Sequence, residues 1–589
     1  MQQYRPELTL SGAHETAVVE VCTRLDGIPL AIELAAACVK VLTVEQIAAR
    51  LSDRFRLLTG GSRTALPRHQ TLRATLDWSY DLLTTQERAF LRRLAVFAGG
   101  FALEAVEAVD GDGDEDALST LLVLVDKSLV MVEQHGDVVR YRLLETVRQY
   151  AAEKLDAADE TGTARDRHLA WCLALVEAAG AELYGPQEPM WLDRLEQEHD
   201  NLRAALSWSL TGGTGGAAPE TALALRLAGA LPRFWQLRGH WNEGRQWLAR
   251  VAETGRGASL PARATVLCGT GVLAYMQGDY AAARVFFEQG LTLSQELGDR
   301  HGIAIAQDYL GWVMLRFGDH ATARVLLEAS LAVYAGSGYK PGIAGAQTGL
   351  GFLVQRQGDD ATARAHYEAT LAIWRELGNK DGIAGILEDL ATVAAEQGDI
   401  ERQMTLLEES LALHRELGNK VGIAHALSNL GMGTWRQGDR RRGTLLLEES
   451  LALYRELGDR RGIARVLGNR AFLVLSQRDY AQAEALCRES VSLYRELGDR
   501  WATARYLPVL AGAAFGQGQP ARAARLFAAA AAERERLGAT LPPNVRRTHD
   551  RTVAAIREAL GDAAFAAVWS EGQALSLEEA VARALTDPA

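Results

Sequence analysis

Residues 378–398 read GNKDGIAGILEDLATVAAEQG, and forty residues later the chain reads GNKVGIAHALSNLGMGTWRQG at 418–438. Glycines recur every forty residues from Gly298 to Gly538, and a second series that begins at Gly278 runs twenty residues out of phase. Asp or Asn usually follows the glycine. Because Gly accepts the left-handed conformation that ends a helix and Asp or Asn caps the next, the pattern predicts two antiparallel helices per repeat. The sequence therefore predicts an α-solenoid of helical hairpins.

Alignment of the repeats separates packing positions from surface positions. The columns that begin at Ile303, Ala304 and Gly311 barely change in the first helix, and those that begin at Ala283 and Leu331 are similarly constant in the second. Small residues let helices approach closely, and large apolar residues fill the layer between hairpins. These columns are predicted to form the core of the solenoid.

Other columns of the first helix change freely. The columns at 301, 305, 308, 312 and 316 are separated by steps of four, three, four and four, which places them on one side of the helix. We call these columns the variable stripe. Large aromatic side chains stand in it among charges, which suggests a surface selected for contact with a ligand. The alternative is that the aromatic side chains pack against the next repeat.

The variable stripe and the columns beside it supply the candidate ligand-binding residues. They are Trp312, Arg316, Phe352, Arg356, Glu388, Asp389, Glu396, His425, Trp435, Arg436, Arg465, Phe472 and Arg505. Stacking by the forty-residue period places the acidic residues in the middle and basic residues on both sides. Charges of both signs around aromatic anchors suit a peptide or a zwitterionic molecule better than a nucleic acid strand, which would favour continuous positive charge.

The repeats resemble a known family. The residues that carry the resemblance are Leu310-Gly311, Ala323, Leu327 and Ser330. They look like the tetratricopeptide repeat in a longer, forty-residue form, over roughly residues 256–540. The resemblance implies an all-α fold with a right-handed solenoid, and a concave groove lined by the varying columns. In that family the groove binds peptides, partner proteins or small inducers.

Length and composition limit the remaining possibilities. A chain of 589 residues is too long for one core, and its net charge of −12 argues against a general nucleic-acid-coating role. No apolar run approaches a membrane span, and the first residues do not resemble a signal peptide. The five cysteines are scattered and have no CxxC spacing, which is typical of reduced thiols. We therefore expect a cytoplasmic protein without membrane contact.

Residues 1–60 carry a second resemblance. The run CTRLDGIPLAIELAAACVKVLT, followed by LSDRFRLLTGG, resembles the helical subdomain of NB-ARC-type STAND signalling NTPases. That family binds ATP or ADP, and the resemblance implies nucleotide contacts by Gly27 and Pro29. The phosphate-binding G-x-x-x-x-G-K-[ST] motif is absent from the sequence. The chain thus resembles the C-terminal part of a bacterial, LuxR-like STAND regulator, and we expect no cofactor in it and no ATP hydrolysis.

Residues 61–150 are predicted to form a winged helix. Two amphipathic helices meet at Thr84-Thr85, further helices follow, and two β-rich runs flank His135-Gly136-Asp137. The helix that would read DNA, DALSTLLVLVDK, has one Lys and no Arg, which disfavours base readout. In STAND proteins this module reports the nucleotide state, often through a His. Leu144 or Glu145 stands near that position here.

The remaining segments are predicted to be helical. Residues 151–255 form irregular hairpins that lead to the solenoid at 256–540, and residues 541–589 form a C-terminal cap. His199, Asp200 and Asn201 suggest catalysis, but neither a nucleophile nor metal-ligand spacing accompanies them. We therefore predict no catalytic residues, no metal site and no enzymatic activity.

The sequence leaves three functions open. The first is the sensing and coupling part of a STAND-type transcriptional regulator, whose groove binds a protein, a peptide or a small inducer. The second is a stand-alone tetratricopeptide-repeat adaptor, for which self-association is possible. The third is a regulator that binds DNA through the winged helix, which the acidic helix disfavours.

Overall fold

The computed structural model describes residues 12–24, 32, 35–36, 42–50, 72–111, 117–135, 138–211, 218–254, 260–541 and 543–586. The two candidate nucleotide-contact residues, Gly27 and Pro29, lie outside the described residues. The chain divides into two compact units. Unit 1 consists of Met1–Leu175 and Arg194–Leu223, and unit 2 consists of Val176–Asp193 and Ala224–Ala589.

The first part of the chain is helical with one small sheet. Its helices are α1 (Gly12–Arg24), α2 (Val44–Arg50), α3 (Leu72–Asp81), α4 (Thr85–Leu94), α5 (Leu103–Asp110), α6 (Ala117–Asp126), α7 (Glu145–Ala157), α8 (Thr161–Glu182), α9 (Glu188–Gln197), α10 (His199–Leu210), α11 (Ala218–Ala230), α12 (Pro232–Arg238) and α13 (Trp241–Thr254). Its strands are β1 (Gly100–Phe101), β2 (Met131–His135) and β3 (Val138–Arg142).

The predicted winged helix is confirmed in unit 1. After α4, α5 and α6, strands β2 and β3 pair antiparallel with His135 opposite Val138, and β1 pairs with the other edge of β3. The division at Thr84 is also as predicted. Thr84 Oγ1 accepts a hydrogen bond from the Glu87 N–H at 3.2 Å, and Glu87 Oε2 accepts one from the Thr84 N–H at 2.8 Å. This capping box fixes the start of α4.

Helix α10 packs onto the winged helix within unit 1. Asn201 is fully buried, and its Oδ1 accepts a hydrogen bond from the Ala98 N–H at 2.8 Å while its Nδ2 donates to the Gly100 carbonyl at 2.9 Å. Arg140 of β3 and Glu198 form a buried ion pair at 2.6 Å. Asn201 therefore has a structural role.

These contacts bear on the proposed domain boundary at residue 150. That boundary falls inside α7, and residues 194–223 belong to the same compact unit as the winged helix. The chain passes from one unit to the other after residues 175, 193 and 223, and the segment 176–193 belongs to unit 2.

The second part of the chain is the solenoid and its cap. The helices are α14 (Leu260–Met276), α15 (Tyr280–Leu297), α16 (Arg300–Phe317), α17 (His320–Ser337), α18 (Lys340–Arg356), α19 (Asp360–Leu377), α20 (Lys380–Gln397), α21 (Ile400–Glu416), α22 (Lys420–Arg436), α23 (Arg440–Leu457), α24 (Arg460–Ser476), α25 (Tyr480–Glu496), α26 (Arg500–Gly516), α27 (Pro520–Arg536), α28 (Pro543–Leu560), α29 (Asp562–Ala574) and α30 (Leu577–Thr586). Helices α14 to α27 form consecutive antiparallel hairpins, which confirms the predicted solenoid. No helix among the described residues is both long and apolar enough to cross a membrane.

The turns between helices have the conformations that the repeat predicts. Gly298 and Gly318 end their helices with φ of +66° and +80°. Asp319 then caps α17 by accepting a hydrogen bond from the Thr322 N–H at 3.0 Å. Arg478 occupies a glycine position of the second series and still has a φ of +67°, so the repeat imposes this conformation even where the residue is not glycine.

The constant columns differ in burial: the isoleucines that begin with Ile303 are only partly buried, whereas the alanine column lies in the core. The alanines that begin with Ala304 and recur every forty residues to Ala464 are fully buried. At Gly311 an added Cβ would lie 2.7 Å from Leu327 Cγ, and at Gly351 it would lie 2.8 Å from Tyr367 Cε1. The column holds only Gly or Ala, with Ala at 391, 471 and 511, because the paired helix leaves no room for a larger side chain.

The solenoid turns back on itself within unit 2. The side chain of Leu457 reaches the backbone of Gly239, Leu497 reaches Gly278, and Leu537 reaches Gly318. The members of each pair lie about five and a half repeats apart in the chain, so successive turns of the superhelix touch at regular intervals. The first helices therefore enclose an interior rather than an open trough.

Candidate ligand-binding groove

The variable stripe lies on the first helices of the hairpins, and most of its side chains are partly buried. Arg316 and Glu388 have 8% and 4% of their surface exposed, whereas Phe472 keeps 38% exposed. Arg356 contacts Trp501, although the two residues belong to hairpins more than three repeats apart. Side chains from distant repeats therefore meet across the interior of unit 2.

Cationic and aromatic side chains meet at one place in this interior. The Arg356 guanidinium lies 4.3 Å from the centre of the Phe352 ring and 3.1 Å from the centre of the Trp501 ring. Arg505 lies 5.2 Å from the Trp501 ring, and Arg316 lies 5.2 Å from the Phe352 ring. We call Arg316, Arg356 and Arg505 the arginine cluster. Its members are held by aromatic faces.

The arginine cluster borders a narrow slit. The slit has a volume of about 10 Å³, which is room for about one water molecule. It is lined by Leu315, Arg316, His320, Phe352, Arg356, Asp499 and Trp501. No carboxylate oxygen among the described residues lies within 4.0 Å of a nitrogen of the arginine cluster. Burial and the like charges of Arg505 and Arg316 lower the pKa of Arg356 to about 9.

Glu388 lies at the centre of a second cluster. Its Oε1 accepts a hydrogen bond from Ser410 Oγ at 3.2 Å and lies 3.6 Å from His414 Nε2, and its Oε2 contacts His425 Nδ1. Burial alone would raise the pKa of Glu388, but the charges and hydrogen bonds of His425 and His414 hold it well below its ordinary value. Glu388 is thus bound within the protein rather than free in an acidic patch.

The other two acidic candidates differ from Glu388. Burial and the charge of Glu388 raise the pKa of Asp389 to about 7. Glu396 accepts a hydrogen bond from Gln355 Nε2 at 2.8 Å, and burial raises its pKa above the ordinary value. Both carboxyl groups are therefore less acidic than the sequence alone suggests.

Some aromatic candidates pack within the protein, and others are exposed to solvent. The Trp312 and Phe352 rings lie 5.6 Å apart, and the Trp435 and Phe472 rings lie 6.1 Å apart. Trp435 is half-buried and sits so close to α23 that a Cβ on Gly443 would lie 3.0 Å from its own Cβ. Trp435 therefore contributes to packing within its hairpin, and Phe472 is the more accessible anchor.

The two remaining basic candidates, Arg465 and Arg436, are not members of the arginine cluster. Arg465 donates a hydrogen bond to the Tyr454 hydroxyl, which holds its side chain against α23. Arg436 stands at the exposed end of α22.

Several site residues were not predicted from the sequence. Trp501 stands in a freely varying column and could have been included on that basis. Asp308 also belongs to the variable stripe; only 8% of it is exposed, and its Oδ1 has no hydrogen-bond partner among the described residues. His414 lies on the second helix of its hairpin, where no sequence signal points to the groove.

Asp308 should make stability depend on pH. Burial raises its pKa to about 7, so its contribution to folding is complete below pH 4 and is lost as pH rises through 7. The unfolding free energy of Asp308→Asn should therefore exceed that of the wild type by more at pH 8 than at pH 5. This excess should grow by about 2–3 kcal/mol between the two pH values. Urea unfolding at both pH values measures this. Asp562→Asn, a change at an exposed helix start, is the control, and an equal gain there would contradict the prediction.

Unit 1 contains a separate cavity of about 230 Å³ beside the winged helix. It is lined by Ala95, Val96, Ala98, Arg148, Arg165, His168, Ala204, Ser207 and Trp208. Burial lowers the pKa of His168 to about 4, so this side chain is neutral at pH 7. Arg148 is held by Glu145 through hydrogen bonds of 2.6 and 2.7 Å.

Comparison with protein families agrees with both parts of the structure. A winged helix-turn-helix domain model matches residues 83–156. Tetratricopeptide repeat models match residues 264–335, 342–402, 423–457 and 463–497. The chain thus combines a winged helix-turn-helix domain with tetratricopeptide repeats, as the sequence predicted.

Curated relatives come from mycobacteria. A provisionally named HTH-type transcriptional regulator of Mycobacterium tuberculosis is 40% identical over 306 residues, which is 50% of this chain and 34% of the relative. An uncharacterized protein of the same species is 46% identical over 172 residues, which is 28% of this chain and 44% of the relative. The chain therefore spans about a third to less than half of the length of these relatives.

Two solved structures are reported as similar to this chain. One is a signal transduction ATPase with numerous domains and a tetratricopeptide repeat sensor from Pyrococcus horikoshii, with a TM-score of 0.43, 14% identity, and coverage of 89% of this chain and 74% of that one. Another is a Rap protein in complex with competence and sporulation factor, with a TM-score of 0.42, 11% identity, and coverage of 60% and 99%.

Proposed function

We propose that this chain is the sensing and coupling part of a STAND-type transcriptional regulator. The interior of the solenoid binds a peptide or a small inducer, and the winged helix of unit 1 relays its presence to a nucleotide-binding module. The single observation that carries the proposal is the convergence of freely varying residues on one enclosed surface. Arg316 and Phe352 meet Trp501 and Arg505 there, although a purely structural interior would need no such variation.

The chemistry of this surface favours a peptide-like ligand. It offers aromatic faces, guanidinium groups without carboxylate partners, and an exposed phenyl ring at Phe472. Aromatic and Arg side chains are the residues that most often dominate binding energy at interfaces. A continuous nucleic acid strand would require positive charge along the whole surface, and the Glu388 region interrupts it.

The winged helix supports coupling better than DNA reading. In α6, the helix that would enter the major groove, Leu121 and Leu124 are buried. Lys127, just beyond its end, is bound to Glu87 at 2.7 Å. Base readout needs Arg, Lys, Asn or Gln side chains pointing from this helix, and the described residues of α6 supply none. We therefore assign this module a coupling role within the regulator.

Selection of peptides tests the proposed groove. Random twelve-residue peptides displayed on phage would be selected against the full chain, and the enriched peptides would be measured by fluorescence polarisation. Because Phe472 is the accessible anchor, Phe472→Ala should weaken their binding by about tenfold or more, which corresponds to roughly 1.4 kcal/mol. The unfolding free energy of the variant should change little.

The matched control is Leu445→Ala, which removes a side chain of similar size on the second helix of a hairpin, where it is 56% exposed. Binding should be unchanged in this variant. If no peptide is enriched, or if the enriched peptides bind Phe472→Ala as well as the wild type, the groove is not the peptide site.

A further inference from the structure

We propose that the arginine cluster is the subsite for a compact anionic group of the ligand, a carboxylate or a phosphate carried on a small molecule or a peptide. This inference rests on the proposed function, since it names the chemistry that the same groove recognises. The observation behind it is that Arg316, Arg356 and Arg505 converge on two aromatic rings without a carboxylate partner.

Burial makes this arrangement costly without a ligand. Arg316 is 8% exposed, and its Nε donates a hydrogen bond to the Tyr275 hydroxyl at 2.9 Å. A buried guanidinium is ordinarily paired with a carboxylate, because removal of a charge from water is otherwise expensive. Arg356 is partly buried and Arg505 is exposed. The like charges of Arg316 and Arg505 act on Arg356, and this repulsion raises the cost further. The lowered pKa of Arg356 has this cause in addition to burial.

The nearby carboxyl groups do not neutralise the cluster. Asp499 also lines the slit, but its Oδ2 lies 3.7 Å from Arg461 Nε, outside the cluster, and its Oδ1 accepts a hydrogen bond from the Ala502 N–H at 2.9 Å. Glu396 is bound to Gln355 at 2.8 Å, and Asp389 titrates near pH 7 and is therefore only partly charged there. An anion that enters the slit would offset the charges of Arg316 and Arg356, which line it, and would reduce the repulsion between Arg356 and Arg505. Guanidinium groups bind carboxylate and phosphate through paired hydrogen bonds.

The size of the slit indicates how the anion enters. A volume of about 10 Å³ admits one water molecule but not a phosphate group. The Arg356 guanidinium must therefore leave the Trp501 ring when the anion binds. Binding should consequently change the fluorescence of Trp501, which gives a local readout of this event.

Two small anions serve as probes of the 589-residue chain. Pyrophosphate tests the phosphate source and citrate tests the carboxylate source, each titrated at constant ionic strength by calorimetry and by tryptophan fluorescence. We expect saturable binding of one or both. Arg356→Gln and Arg505→Gln should each weaken it at least tenfold, while Trp501→Phe should remove the fluorescence change and retain the heat of binding.

The matched control is Arg441→Gln, which removes an exposed arginine of α23 in the same unit. It should leave binding unchanged. If neither anion binds saturably, or if Arg441→Gln weakens binding as much as Arg356→Gln, the proposal is wrong.

The anion titration and the peptide selection test the anionic subsite and the peptide groove separately. Peptides enriched by selection together with absent anion binding would overturn the anionic subsite alone. Anion binding with the expected variant pattern, but without any enriched peptide, would support the subsite and overturn the peptide groove.

Discussion

Leu411→Ala is expected to lower the unfolding free energy by roughly 2–5 kcal/mol. Leu411 lies in the constant column that begins at Leu331, and only 8% of it is exposed. It packs with Leu407 of the same helix, α21, and with Leu427 and Leu430 of α22, the first helix of the next hairpin. The truncation removes apolar contact and leaves a cavity, because helices held by close small-residue contacts cannot move inward to fill it.

The control for Leu411→Ala is again Leu445→Ala. Both residues are leucines on the second helix of a hairpin, and they differ in burial. Leu445→Ala should change the unfolding free energy by no more than about 0.5 kcal/mol. Chemical denaturation followed by circular dichroism measures both variants. Equal losses would mean that the forty-residue columns do not separate core from surface.

Alignment of the repeats separates core positions from surface positions for a physical reason. Every repeat packs its helices in the same way. A position that holds a small residue in every repeat, such as Ala304 or Gly311, therefore indicates a close contact between helices. The same reasoning identified the variable stripe, and it placed Arg316, Phe352 and Arg356 on one surface. It works because neighbouring repeats are related by a nearly constant rotation.

Contacts across the interior could not be predicted in this way. Trp501 meets Arg356 because the superhelix closes after about five and a half repeats, and that pitch depends on small angles that no single column encodes. The pairing of Glu388 with His414 was missed for a related reason. His414 reaches the interior from the second helix of its hairpin, so the sequence suggested an acidic patch where the structure has an ion-paired cluster.

Glu388→Ala is expected to destabilise the protein by roughly 3–5 kcal/mol, because it leaves the buried His414 and the partly buried His425 without their carboxylate. Glu388 belongs to α20, and its partners His414 and His425 belong to α21 and α22, so one side chain joins two consecutive hairpins. Glu388 and His414 are buried, which keeps solvent from replacing the lost partner of His414, whereas the His425 side chain keeps 34% of its surface exposed.

The loss should depend on pH. The pKa of Glu388 is lowered in the folded protein, so its stabilisation is present above its unfolded value near 4.5 and is lost as pH falls. Although burial alone would lower the pKa of His414, its hydrogen bond with Glu388 raises it. The stabilisation from His414 is therefore present below about pH 6.5 and is lost as pH rises. The cost of Glu388→Ala should be greatest between about pH 5 and 6.5.

Glu416→Ala provides the matched control for this prediction. Glu416 pairs with Lys380 between neighbouring repeats as Glu388 pairs with histidine, but both members of that pair are exposed to solvent. Its removal should cost less than about 1 kcal/mol and should depend little on pH between 5 and 8. If Glu388→Ala costs no more than Glu416→Ala at pH 6, the cluster does not join the hairpins. Glu388 would then be available to a ligand, as the sequence alone suggested.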